Sequence, residues 1–202
     1  MKLVQAVFNM EDTRTERGEE NALKVTGYAA RFDKLSVPMW GFKEKIRSGA
    51  FGKSLKSNSV KALWNHNSDL VLGSTKAGTL DLVEDDKGLR FEMNLPDTQA
   101  GRDAHVLVER GDVNQMSFGF LIRKQEWDES DPKNIVRTLV EVDLREISLT
   151  PFPAYKQTSA KTRSARDDYD DYKKEQRDTE SLENEERKNE LNLKIKLLNL
   201  EA

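Results

Sequence analysis

Gln115-Met116-Ser117-Phe118-Gly119-Phe120 is the stretch from which the rest of the chain can be read. From Met116 to Ile122, Met116, Phe118 and Phe120 alternate with Ser117, Gly119 and Leu121, the two-residue period of a strand with one apolar face. The opposite face carries a hydroxyl and then, at the next position along it, only hydrogen. A substrate backbone has room to approach there. Alone, a Ser-x-Gly strand equally describes a tolerated polar residue beside a bulge, so its surroundings decide.

Immediately upstream, Ala100, Ala104, Leu107 and Val108 recur at helical spacing. Asp97 or Thr98 is placed to cap that helix and Gly111 to end it. Downstream, residues 123–134 read as a polar loop or hairpin holding Trp127 and Pro132. Ile135 to Ile147 then forms a long alternating strand with Glu141, Asp143, Glu146 and Ser148 at polar positions. Asp143 and Glu146 are an odd number of residues apart, so a regular strand puts them on opposite faces.

Further out, residues 3–8 and 22–32 read as strands, with Gly27 a bulge in the second and a charged loop over residues 11–21 between them. Residues 36–47, with Pro38, Trp40 and Gly41, form a loop and a short extended piece. Ser48 stands at the N-cap of a short helix over residues 50–55. Residues 60–67 make a strand ending in a polar cluster that contains His66. Short strands follow over 70–73, 78–83 and 89–95, the last two joined by the turn-forming Glu84-Asp85-Asp86-Lys87-Gly88. Strands at this spacing predict a barrel or a sandwich rather than a doubly wound sheet.

Composition divides the chain. All eleven glycines lie at or before Gly119 and the last proline is Pro153; from Lys161 onward the sequence is almost entirely polar until LNLKIKLLNL. A folded body over residues 1–156 and a tail over 157–202 follow. Residues 161–202 hold 10 Lys and Arg against 12 Asp and Glu. Within them Leu191, Ile195 and Leu198, with Leu193, Leu197 and Leu200 alongside, make a broad apolar helical face. Such a face needs a partner or a docking place on the body.

Several classes of function are disfavoured. A net charge of −3 gives no reason to expect nucleic acid or an anionic membrane as the main partner. The first residues are too briefly apolar for a signal peptide and no stretch reaches a membrane-spanning length, so a soluble intracellular protein is expected. The absence of cysteine removes thiolate chemistry and Cys-type zinc sites, and two histidines 39 positions apart do not make the pattern of a histidine-rich metal site, so no metal or cofactor is expected. Phosphate-cradling glycine loops are missing as well. A serine, a histidine and carboxylates remain. A serine hydroxyl needs a base to take its proton, and a neutral imidazole oriented through its other nitrogen is suited to that near neutral pH.

Three blocks, Leu63-Trp64-Asn65-His66-Asn67, Gln115 to Phe120, and Leu144-Arg145-Glu146-Ile147-Ser148-Leu149-Thr150 with Pro153-Ala154 after it, together resemble the HK97-type prohead maturation proteases of tailed bacteriophages. Gly27-Tyr28-Ala29 and Gly88-Leu89-Arg90-Phe91 fit the same layout, and the similarity spans roughly residues 20–156. The resemblance implies His66 as general base, Ser117 as nucleophile and Glu146 as third member of a triad. It implies an α+β, mainly β fold similar to the herpesvirus assembly proteases: a small closed or nearly closed barrel ringed by short helices. It also implies the major capsid protein and its scaffold segment as partners and substrates, self-cleavage, and action in the host cytoplasm inside the assembling procapsid. The backbone N–H groups of Phe118 and Gly119 are candidate oxyanion donors, being next after the nucleophile; Arg90, Arg123 and Arg145 are candidate charges nearby. His105, beside Ala104 and Val108, reads as a packing residue. The rival reading is a non-catalytic assembly or scaffolding protein in which the β-domain is only a packing module. A carbohydrate- or peptide-binding domain would rest on Trp40, Trp64 and Trp127 alone.

Overall fold

The computed structural model describes residues 4–9, 14–17, 23–36, 41–151 and 159–198. In chain order these form β1 (Val4–Asn9), β2 (Arg14–Arg17), β3 (Leu23–Arg31), β4 (Phe42–Ile46) and α1 (Gly52–Ser57). Next come β5 (Lys61–Trp64), β6 (Asn67–Ser74), β7 (Leu80–Glu84), β8 (Gly88–Asn94) and α2 (Gln99–Glu109). Two long strands follow, β9 (Gln115–Asp128) and β10 (Ile135–Thr150), and then α3 (Ser159–Leu198). The chain divides into two compact units, residues 1–162 and 163–202.

β10 is the spine of the first unit. Its 16 residues are long enough to pair along one edge with β9, antiparallel, and along the other with two short strands in succession. Ile135 to Leu139 take β4 and Glu146 to Leu149 take β5, both parallel. With β1 on the far side of β9 and β6 on the far side of β5, the sheet runs β1-β9-β10-β5-β6 and has six strands. A second, antiparallel sheet runs β2-β3-β8-β7. Among the described residues no ladder joins the two sheets, so the expected closed barrel is not found; the fold is α+β, mostly strands with three helices.

The alternation read from the sequence decides which side faces the core. Met116, Phe118 and Phe120 of β9 are buried with Ile147, Leu149 and Leu144 of β10, which stand opposite Phe118, Met116 and Phe120. They share one cluster with Val25, Leu89, Phe91 and Met93 of the second sheet. Phe118 meets Phe51 edge-on at 5.5 Å and Phe120 at 5.0 Å, contacts that add specificity to burial. At the distal end of the β9–β10 hairpin, the buried Arg137 bonds Glu44 through Nε at 2.8 Å and lies over the rings of Phe42 and Trp127.

α2 follows its local signals. The Thr98 hydroxyl accepts the Gly101 N–H at 3.2 Å, and Gly111, at φ 80°, turns the chain out with its N–H on Val108. α1 does not begin at Ser48. Its N-cap is Phe51, whose N–H is taken by the Glu84 carboxylate 33 positions away at 3.0 Å, so a non-local group replaces the expected cap. The β7–β8 hairpin is as expected: Asp85 Oδ1 accepts the N–H groups of Lys87 and Gly88. Residues 14–17, expected within a loop, form a strand against β3, and β9 continues to Asp128 through residues expected to be loop or hairpin. The body–tail boundary at 156/157, with Pro153 and Ala154, lies outside the described residues.

Candidate active site

The sequence places His66 at the end of a strand; the fold places it in a turn. β5 and β6 are joined by Asn65 and His66 alone, and both have positive φ, 49° and 60°. This is the backbone of a two-residue hairpin turn that favours Asn-Gly. Asparagine tolerates the left-handed conformation, whereas a histidine there costs on the order of 1 kcal/mol. β10 holds the turn: Asn65 N–H donates to Leu149 O at 2.9 Å, His66 N–H to Ser148 Oγ at 3.1 Å, and the Thr150 hydroxyl to Asn65 Oδ1 at 3.2 Å.

That turn sets the imidazole beside Glu146. Nδ1 and Glu146 Oε1 are 2.7 Å apart, while Ser148 Oγ donates to Oε2 at 2.6 Å. Both carboxylate oxygens are thus engaged. Toward a carboxylate Nδ1 is the ring nitrogen that donates, and in a neutral imidazole Nε2 is then the acceptor. Nε2 is buried and has no hydrogen-bond partner among the described residues.

Glu146 stands opposite Gly119 and Ser148 opposite Ser117 across the β9–β10 ladder. The space beside Ser117 is therefore already taken. A methyl group built on Gly119 would overlap the Glu146 carboxylate, with its Cγ and Cδ at 3.1 Å, so what faces this glycine is a side chain of the same protein rather than room for a substrate backbone. Ser117 itself is fully buried, and its hydroxyl donates to Ala6 O of β1 at 2.9 Å. Among the described residues it makes no bond to His66. Phe118 and Gly119 lie between two ladders, opposite Ala6 and Gln5 on β1 and opposite Ile147 and Glu146 on β10.

Asp143 is not on the far face. The β9–β10 register slips between Leu144 and Glu146, so Asp143 pairs with Leu121 and Glu146 with Gly119, two positions of one face. The extra residue, Arg145, resets the alternation. Asp143 accepts from Asn58 Nδ2 and Arg123, and from Arg145 at 2.9 Å. Burial pushes its carboxyl up, but the hydrogen bonds from Arg123 and Asn58 and the two guanidinium charges outweigh burial and leave it below the ordinary value. Arg123 and Arg145 are thereby committed to Asp143, and Arg90 lies on β8 in the other sheet. His105 is buried in α2, as its helical position suggested. Ser148 is the residue whose part in the site the sequence did not disclose; its position one period from Glu146 on the same strand was the available signal. Among the described residues no cluster of His, Cys, Asp or Glu could hold a metal ion.

Residues 9–175 match the caudovirus prohead serine proteases, and the chain belongs to that family. Among solved structures the fold is similar to the bacteriophage T4 capsid assembly protease, gp21, with a TM-score of 0.52 at 9% identity, covering 74% of this chain and 98% of that one. Curated protein sequences gave no match.

Proposed function

We propose that this chain is a serine endopeptidase that matures a phage procapsid, with Ser117 as nucleophile, His66 as general base and Glu146 as the carboxylate that orients it. The observation that carries the reading is the 2.7 Å contact of His66 Nδ1 with Glu146, which leaves Nε2 buried and unpartnered on a turn bonded to Ser148, the cross-strand neighbour of Ser117. Family membership supplies the reaction class.

In the reaction, Nε2 takes the Ser117 proton as Oγ attacks a peptide carbonyl. The tetrahedral intermediate collapses to an acyl-enzyme as the imidazolium gives that proton to the leaving amine. Water, deprotonated by Nε2, then releases the acid and restores the serine. Glu146 keeps the Nδ1 proton in place and stabilises the imidazolium. For this to happen the Ser117 hydroxyl must leave Ala6 O. Consecutive N–H groups of a strand point to opposite edges, so of the Phe118 and Gly119 amides the one facing β1 serves an oxyanion, and only where that ladder opens. Substrates are the shell subunit, its scaffold segment and the protease's own chain, cut inside the assembling procapsid in the host cytoplasm. The charged helix α3 is the assembly segment.

A fluorophosphonate probe on the full-length chain tests the assignment. Labelling is expected on Ser117 and to depend on His66. Ser117→Ala or His66→Ala should lower turnover of a co-expressed shell subunit by about 10⁶, and Glu146→Gln by about 10⁴. Mass spectrometry of the new termini reads both activity and cleavage preference. The full burial of Ser117 is what a non-catalytic scaffolding protein would equally present, and an unlabelled wild-type chain that leaves its shell subunit intact would establish that reading instead.

A further inference from the structure

We propose that Ser148 is a positioning residue that locks the histidine backbone and the Glu146 carboxylate into one hydrogen-bonded ring behind the nucleophile. The inference rests on the Ser117, His66 and Glu146 assignment above. Ser148 is fully buried, and a buried hydroxyl is expected to have its donor and at least one lone pair engaged. Here it accepts the His66 main-chain N–H at 3.1 Å and donates to Glu146 Oε2 at 2.6 Å, a charge-assisted bond. Glu146 Oε1 closes the ring through His66 Nδ1 at 2.7 Å.

Each link fixes a different freedom. The bond to the main-chain N–H secures His66 in a left-handed conformation, φ 60°, that a histidine does not favour. The bond to Oε2 stops the carboxylate from turning about its last torsion, so Oε1 stays in line with Nδ1. The ring then holds the imidazole with Nε2 unengaged. Lys61, opposite Glu146 on β5, is turned to other work, its Nζ on Ser74 Oγ at 2.9 Å. Ser148 is not itself placed to attack. Its proton is directed at a carboxylate oxygen and not at the bare imidazole nitrogen. Without the hydroxyl, Glu146 loses its alignment, and Oε2 is left with a vacant acceptor site.

The test follows the rate of fluorophosphonate labelling against pH in the full-length chain, with the modified residue located by mass spectrometry. Ser148→Ala is expected to remain folded and to label Ser117 about 10 to 100 times more slowly, the size of effect seen when a partner that orients a functional ligand is removed. The acid limb of the profile is displaced from its wild-type position, since the carboxylate that faces the imidazole is no longer held in line. Ser148→Thr, which keeps the hydroxyl, restores rate and profile. Because Ser148 acts through Glu146, the double variant Ser148→Ala/Glu146→Gln labels no more slowly than Glu146→Gln alone. If Ser148→Ala does not fold, the near-isosteric Ser148→Cys, a weaker donor, carries the same expectations. A wild-type rate with an unmoved profile in the alanine or cysteine variant, multiplied losses in the double variant, or label on Ser148 in Ser117→Ala overturns the proposal. Failure of the underlying reading is distinguishable: label then persists at a third serine in Ser117→Ala.

Discussion

Gly119 and Glu146 illustrate how one residue's chemistry depends on another's absence of it. The carboxylate lies where any Cβ at position 119 would stand, so Gly119→Ala forces Glu146 away from His66. Overpacking of this kind costs about 1–3 kcal/mol, and misplacing an orienting group by about an ångström costs on the order of 10² in rate. Gly119→Ala should therefore slow labelling of Ser117 at least about 100-fold while a thermal melt still shows a folded protein. A rate equal to wild type would mean that Glu146 does not orient the base. Asp143 makes a different prediction. Its carboxyl lies below the ordinary value in the folded chain, so its contribution is fully present above the unfolded value near pH 4 and is lost as pH falls through the folded value. Asp143→Asn should be less stable than wild type by about 1–2 kcal/mol at pH 7, with bonds to charged partners lost. The gap should narrow as pH falls below the unfolded value of about 4, as thermal melts across pH can show. At this scale the sequence exposed the candidates and hid their alignment. The resemblance named His66 and Glu146, but the Arg145 slip that puts Asp143 on the site's face is a pairing between strands, invisible in either strand alone.

Elements whose ends are sealed by their own residues were legible, and those sealed from afar were not. Thr98 and Gly111 bound α2 locally, whereas α1 starts where Glu84 reaches Phe51 N–H across 33 positions. The β5–β6 turn shows a further limit. Asn65-His66 lacks the glycine that marks a tight hairpin, so the residues around it read as a strand end and a separate strand. The missing glycine puts a histidine in that turn, at the cost of some backbone strain. Asn65→Ala puts an unfavourable residue in the left-handed region and removes the acceptor for Thr150. It should cost about 1–2 kcal/mol, lowering the melting midpoint by about 2–8 °C for a chain of this size, and slow Ser117 labelling. Asn65→Gly, which restores the backbone preference but not the Thr150 bond, should recover part of both. Equal midpoints for the two variants would show that left-handed geometry is not what asparagine contributes.

For the whole molecule, the predominance of strands was readable and closure was not, because whether strands form one barrel or two sheets depends on edges that meet only after folding. The tail raises the opposite question, since its helix is long and charged. α3 spans 40 residues, about 60 Å at 1.5 Å per residue, and Leu182 is 63% exposed. Glu183 and Arg187, and Glu190 and Lys194, fall at the spacing that supports a solvated helix by a few tenths of a kcal/mol per pair. Over residues 169–190, whose side chains are exposed or half-buried, the helix owes little to a core. Truncation after Thr162 should then leave the melting midpoint and the labelling rate of Ser117 within experimental error of the full chain, while far-UV circular dichroism loses the helical signal of about 35 to 40 residues. In cells co-expressing the shell subunit, the truncated protein should be made and folded yet missing from purified shells. Incorporation at the full-length level would assign assembly to the β-domain, and a collapse of labelling on truncation would mean that the helix supports the site itself.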